Sequence, residues 1–353
     1  MRLRHALGLT VVATTALLGL SVPAVAGPSA QLRTYVDPRN AVFLPGERVQ
    51  VLASNETSLF NTGAHYDQGV WVRFSTLPAN RPFTTDTVTS TAIGTTTDGM
   101  VHNVVAADNR VFIADRRMTD GRWFPWGEIT SASAAGPLPG TPQQIAVAAM
   151  GRKLHVLALV DGEVHQATGD WNTGAWSGWG DVSSATGLPV STRIAAAVTG
   201  NSLHVVSLGL DDGVYVADGD YDRGTWRVGE PTALLGLPSA VAIGELSAAA
   251  IGSKLHIVAE ANDRLYQATG DYAAGSWVGW GDLTAATGPV GPVGFVDRLA
   301  VAAVGNKLHL YTLSGRGMYN ATGDYDRGTW SGWGNVSAAV DAPGLTGLAV
   351  TAA

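Results

Sequence analysis

An aspartate beside an aromatic ring in a tight turn can serve three kinds of chemistry: metal binding, proton transfer, or recognition of a hydroxylated ring. This chain concentrates such pairs in TGDYDRGTWSGWG (322–334) and in near-copies, TGDWNTGAWSGWG from Thr168, DGDYDRGTWRVGE from Asp218 and TGDYAAGSWVGWG from Thr269. The tip aromatics Tyr66, Trp171, Tyr221, Tyr272 and Tyr325 suit the third kind, because saccharide C–H faces stack on aromatic rings. Beside them, His65, Asp170, Asp220, Asp271 and Asp324 could meet the sugar hydroxyls, which need convergent donors and acceptors. The same set has a structural reading. An aspartate in a turn accepts hydrogen bonds from backbone amides just ahead, a glycine supplies positive φ, and the ring packs on a neighbouring element.

Metal and proton chemistry fit less well. A calcium site at Asp220/Asp222 or Asp324/Asp326 is undercut by Asn172 and Ala273, which replace the second acid in the sister turns. No metal and no cofactor is expected. Five further histidines, His102, His155, His204, His256 and His309, each follow a leucine or valine in the middle of a strand-like run, with Gln50 in the same slot of the earliest copy. Spread over as many repeats they cannot converge on one ion, so each is expected to make a hydrogen bond between units. His165 and the second tryptophans Trp126, Trp179, Trp280 and Trp333 receive the same structural assignment.

Catalysis would require one convergent set of unlike residues, and for glycoside hydrolysis two carboxylates some 5–10 Å apart. Beyond residue 26 the glutamates are Glu47, Glu56, Glu128, Glu163, Glu230, Glu245 and Glu260, of which Glu128 and Glu230 fill the slot of Asp181, Asp282 and Asn335. There is no HExxH, no GxSxG and no glycine-rich phosphate loop. Residues that break the repeat pattern gather in the first two copies, notably Arg73, Arg81, Arg110, Arg116, Arg117 and Arg122. A single special site would lie there; terminal copies that drift from the pattern account for these residues without one.

The elements that must position these turns follow from a period. The first tryptophan after each turn falls at Trp71, Trp123, Trp176, Trp226, Trp277 and Trp330, at intervals of 52, 53, 50, 51 and 53 residues. Six repeats therefore run from about Val42 to the end. In the last, LAVAAV (299–304), KLHLYTL (307–313), GMYNATG (317–323) and TWSGWGNV (329–336) read as four strands. No helical period of useful length lies between them. Four short antiparallel strands per repeat predict an all-β fold, a β-propeller of six four-stranded blades. Alanine- and valine-rich runs such as IAVAAM (145–150) belong at the crowded axis, and tryptophan on the outer strand. Ring closure is expected from pairing of the terminal segments: GLAVTAA (347–353) and AVFLPG (41–46) both match an innermost strand. A degenerate seventh blade is the alternative.

The hairpin resembles the Asp-box turn of sialidase-type propellers, a structural element there, with a glycine-to-tryptophan gap one residue shorter. The whole unit, LHV…DGxVYxATGDYDxGxWSGWGDV, resembles the repeats of secreted bacterial β-propeller lectins of the tectonin and PLL-like kind, over most of the chain. That resemblance implies several equivalent sugar sites in shallow pockets at blade edges or between blades. His65 and Arg117 replace the aspartate in the first two copies, and Gly229 the second tryptophan of the fourth, so sites need not be equal.

Residues 1–26 read as an export signal: Arg2 and Arg4, an apolar run from Ala6 to Leu20, then Ala24-Val25-Ala26 with cleavage expected after Ala26. Residues 27–40 form an N-terminal segment and 41–353 a single propeller domain. With no cysteine, an exported chain must rely on burial for its stability. Without Arg2 and Arg4 the chain has 20 basic and 29 acidic residues and no basic stripe, so neither nucleic acid nor membrane is an expected partner. The expected function is secreted, multivalent, non-catalytic carbohydrate binding, with glycans or cell-surface and cell-wall saccharides as partners. The alternatives are a propeller making protein or cell-wall contacts without sugar specificity, and a degenerate or unrecognised glycoside hydrolase. Oligomeric state is left open.

Overall fold

A computed structural model describes residues 34–36, 48–66, 69–228, 242–291 and 294–353. They form six antiparallel sheets in a ring, a six-bladed β-propeller. Blades two to six begin with innermost strands Val88–Thr95, Pro142–Met150, Ser191–Thr199, Ile243–Ile251 and Arg298–Val304. The first blade takes its innermost strand from the other end of the chain. Gly347–Ala352 lies antiparallel to Arg48–Ser54, in register from Ser54↔Gly347 to Val49↔Ala352. The expected pairing of ends is thus made by the C-terminal strand, with no seventh blade among the described residues. The 41–46 run and the leader lie outside them. A short strand, Thr34–Val36, adds parallel to Val70–Val72 at the outer edge of the first blade.

Burial explains the sequence of each strand. The second strands, such as Lys153–Val160 (KLHVLALV), are buried at every position but the first, because neighbouring blades cover both faces of the sheet there. Innermost strands crowd the axis, which favours the Ala and Val of Ala146, Ala148, Ala195 and Ala197.

The outer strand departs from expectation. The run 329–336 is split into Thr329–Trp330 and Gly334–Asn335, and a one-turn helix starts at Val336. Such helices follow blades three, five and six: α1 (Val182–Thr186), α2 (Leu283–Thr287) and α3 (Val336–Val340). The shared acid or amide slot before them is an N-cap. Asp181 accepts from Ser184 N at 2.8 Å, Asp282 from Ala285 N at 3.0 Å and Asn335 from Ala338 N at 2.8 Å. Five residues are too few for a 3.6-residue period to show in the sequence.

The glycine of each TGD triplet has a packing reason. A Cβ on Gly323 would sit 2.7 Å from the Trp330 ring, and one on Gly270 2.7 Å from Trp277, because each ring lies flat on the third strand. Gly323→Ala is therefore expected to lower stability by about 1–3 kcal/mol through overpacking, measured by urea denaturation. An unchanged midpoint would show that the ring can move aside freely.

Candidate functional site

The hairpin tips form as expected, with left-handed glycines Gly174, Gly224, Gly275 and Gly328 at φ of 72°, 62°, 63° and 63°. The aspartates serve the turn. Asp170 accepts from Asn172 N at 2.8 Å, Asp220 from Asp222 N at 3.0 Å, Asp271 from Ala273 N at 3.1 Å and Asp324 from Asp326 N at 3.1 Å. Amide donation by Ala274 holds the Asp271 carboxyl below its ordinary range. His65 is buried at the end of a third strand, opposite Arg48 and Val70.

The tip aromatics are half-buried, and each reaches back to the strand histidine of the preceding blade. Ring centroids lie 4.2 Å apart for Trp171 and His102, 4.6 Å for Tyr221 and His155, 4.2 Å for Tyr272 and His204, and 4.7 Å for Tyr325 and His256. Tyr66 stacks on His309 at 3.9 Å, carrying the series across the join between the sixth and first blades, and its hydroxyl bonds that of Tyr311. The hydroxyls point into the seams. Tyr221 donates to His155 Nδ1 at 3.1 Å and Tyr272 to Asp218 at 2.9 Å. Burial pushes the Tyr325 phenol up to about 12 and raises those of Tyr66, Tyr221 and Tyr272. His155 and His256 thus make the interblade hydrogen bond expected of the series, whereas His102, His204 and His309 bond within their own blades and meet the next blade through ring contacts.

Two seam types alternate. In the second and fourth blades the histidine bridges a threonine and an aspartate: Thr96–His102–Asp115 with both bonds at 2.8 Å, and Thr199–His204–Asp218 with both at 2.6 Å. The order of groups is that of a hydrolase triad, but Thr96 is 2 % exposed and Thr199 7 %, so a substrate carbonyl could not reach either hydroxyl. In the third and fifth blades Thr168 or Thr269 surrounds Nδ1 with the next tyrosine and with Gln166 or Gln267. These donors make Nδ1 the acceptor and leave the proton on Nε2, which is buried without a partner in His155, His256 and His309. Burial first, and then Lys153 and Lys254, lower His155 and His256 to about 4. Burial and Lys307 bring His309 to about 3.

A further set of rings lies elsewhere, along the outer grooves between blades, with Phe112, His165 and Tyr319 buried. Every third strand carries a ring at one register position: Phe60, Phe112, His165, Tyr215, Tyr266 and Tyr319. The second tryptophan stands beside it and bonds to the preceding blade's loop: Trp126 Nε1 to Pro78 O at 3.3 Å, Trp179 Nε1 to Gly136 O at 3.0 Å, and Trp333 Nε1 to Gly288 O at 3.0 Å. Between the fifth and sixth blades these features frame an open cleft of about 360 Å³, lined by Thr287, Gly288, Pro289, Tyr319, Trp333 and Asn335. The corresponding space between the first and second blades is filled from within. Phe83, 5 % exposed, stacks on Phe112 at 4.9 Å and meets Trp126 edge-on at 5.0 Å. Sequence reading gave Trp333 only a packing role and passed over Tyr319. The recurrence of an aromatic residue two or three positions into each third strand was the signal for it.

Glu245 and Glu260 face each other across the first two strands of the fifth blade. Glu128 pairs with Arg110 at 3.2 Å, and Glu230 lies outside the described residues. Among the described residues no group of three or more His, Cys, Asp or Glu could hold a metal ion.

No family model matches the chain, and no curated protein matches it in sequence. Solved structures do. An arginine-to-alanine triple mutant of AofleA from Arthrobotrys oligospora superposes with a TM-score of 0.57 at 12% identity, covering 84% of this chain and 83% of that one. The Aleuria aurantia lectin, described as a six-bladed β-propeller with a novel fucose recognition mode, gives 0.55 at 14% identity, covering 82% and 90%. TolB from Acinetobacter baumannii gives 0.53 at 14%, covering 87% and 66%. At such identities the likeness is one of fold: this chain shares the six-bladed ring described for the Aleuria lectin.

Proposed function

We propose that the protein is a carbohydrate-binding, lectin-like β-propeller that acts without catalysis after export, and that its outer interblade grooves are the sugar sites. One observation carries the reading: the chain plugs one groove with its own Phe83 ring, while the register-equivalent groove at Tyr319 and Trp333 is open. A cleft that accepts a phenyl ring in one seam has the width for a pyranose in another. The Trp333 ring offers the C–H stacking surface, and the Thr287 hydroxyl and Asn335 amide offer polar partners. Support also comes from the fold shared with the fucose-recognising Aleuria lectin. The partners in this reading are glycans on a cell surface or cell wall.

A glycan-array screen with the protein clustered on beads tests it. Parent protein is expected to bind a restricted set of glycans. Trp333→Ala should weaken that binding by about tenfold or more, equal to 1.4 kcal/mol, with little change in melting temperature because the ring is half-exposed. Tyr221→Phe, which removes only the hydroxyl bonded to His155, examines the hairpin tips in the same screen. Loss of binding there, with Trp333→Ala unaffected, would move the sites to the tips. No binding to any glycan would leave a propeller that contacts proteins or other cell-wall material.

A further inference from the structure

One end of the propeller axis opens into a polar cavity of about 390 Å³ that draws residues from all six blades. The innermost strands of blades two to six place Ser90, Gln144, Arg193, Glu245 and Arg298 at one register position, opposite Ala106, Leu159, Leu208, Glu260 and Leu313. The arc is neutral through blades two and three and charged through four, five and six.

The neutral members are occupied. Gln144 clamps the backbone of Ile194 from both ends of its amide, at 3.0 and 2.9 Å, and Ser90 accepts from Ile145 N at 3.1 Å. The two arginines reach toward the fifth blade from either side. Arg193 Nε donates to Gly244 O at 3.3 Å and its Nη1 to Thr192 O at 3.0 Å. Arg298 Nη1 donates to Glu245 Oε1 at 3.1 Å. The guanidinium groups are held by these bonds yet remain exposed, Arg298 by 51%, while Glu245 is 15% exposed. Of the charged groups that line the cavity, one carboxylate therefore faces two cations, in a chain with 29 acidic and 22 basic residues. Glu260 stands behind Glu245 on the second strand, 8 % exposed, and does not line the cavity. Beneath the mouth the channel narrows to about 110 Å³, where Ala92, Ile145, Ala195, Leu246 and Ala300 join Thr91, Gln144 and Ser247.

From this arrangement we infer that the axial mouth is a second ligand site, for a small hydroxylated acid such as an acidic monosaccharide, with its carboxylate between Arg193 and Arg298. Guanidinium forks match a planar carboxylate, and the pair is held in place before the ligand arrives. The hydroxyls of Thr91, Thr192 and Thr346 line the same cavity and suit the hydroxyls of such a ligand. No aromatic ring lines the mouth, so recognition there is polar, unlike that proposed for the outer grooves.

The test is calorimetric titration of the full chain with D-glucuronate, methyl glucoside and acetate. Glucuronate is expected to bind saturably, more weakly as salt rises, and more tightly than either comparator. Arg193→Gln, which leaves the Arg298–Glu245 pair in place, should reduce glucuronate affinity by about tenfold, and Arg298→Gln likewise. Trp333→Ala should leave it unchanged, which separates this site from the outer grooves whether or not those bind sugar. Three results would each overturn the inference: no saturation at millimolar glucuronate, parent-like affinity in Arg193→Gln at an unchanged melting temperature, or acetate binding as tightly as glucuronate.

Discussion

A chain ending at Leu345 is expected to lose the cooperative fold altogether. Removing residues 346–353 takes away the innermost strand of the first blade and the six residue pairs that join the ends of the ring. It also removes the bonds from Thr346 N to Ser54 O at 2.8 Å and from Ala353 N to Arg48 O at 3.1 Å. Each backbone bond contributes about 0.5–1.5 kcal/mol net, and burial of Leu348 and Ala349 adds about 2–3 kcal/mol. The sum is comparable with the whole stability of a typical domain, about 5–15 kcal/mol. The exposed edge of Arg48–Ser54 would moreover invite strand pairing between molecules. Scanning calorimetry and light scattering check this: the parent should show one cooperative transition and the truncated chain aggregation without one. A peptide of residues 346–353 added in trans should restore part of the transition. A truncated monomer that melts like the parent would show that the ring does not depend on this closure.

The second large effect is acid destabilisation that begins near pH 6.5. His155 and His256 are held at about 4 in the folded protein, and His309 at about 3, so all three are neutral where an unfolded histidine would titrate. Between about pH 6.5 and 4 the unfolded chain binds more protons than the folded one, and stability therefore rises with pH through that window. The contribution is complete above about pH 6.5 and is lost as pH falls. One proton is worth about 1.4 kcal/mol per pH unit, so the three together give a slope of about 4 kcal/mol per unit in mid-window. Glu245 and Glu260, raised by burial, act with the opposite sign and offset part of it. Carboxylates lowered by turn and cap bonds, such as Asp181 and Asp271, add their loss only below about pH 4. Melting temperatures measured from pH 7.5 to 4.5 should fall steeply, and His256→Gln should flatten the curve by about a third. Glutamine is the apt replacement because Gln50 fills this slot in the first blade. A flat profile down to pH 5 would sink the prediction.

Much of the ring was legible because its signals repeat. The spacing of Trp71 to Trp330, the five strand histidines with Gln50 in the remaining slot, and the tip glycines each mark one element of one blade, and six positions give six blades. What escaped depends on contacts between blades, which no within-repeat pattern encodes. Tyr221 meets a histidine 66 residues earlier and Tyr325 one 69 residues earlier, and only the ring brings them together. Each tip aromatic packs on the preceding blade, and Tyr66, Trp171, Tyr272 and Tyr325 also meet the tryptophan of their own blade edge-on. Two departures from the repeat, Gln50 in the histidine slot and buried Met118 in the tip slot of the second copy, belong to consecutive blades at the one seam without a histidine. The plugged groove was hidden for a different reason. Phe83 comes from a connecting loop outside the repeat unit, where neither periodicity nor strand register constrains its position.

The first-blade sheet also sets the order in which the molecule can be built. Val49 and its partner Ala352 flank all the other blades in sequence, so the edge strand stays open until the closing strand has followed the sixth blade. The middle blades, whose strands are neighbours in sequence, can form as local units, but the contact that locks the ring must close a loop that spans all six blades. Closure of the native ring therefore waits for the strand that follows the sixth blade, and the rate of that docking step decides how long the open edge is available to other strands.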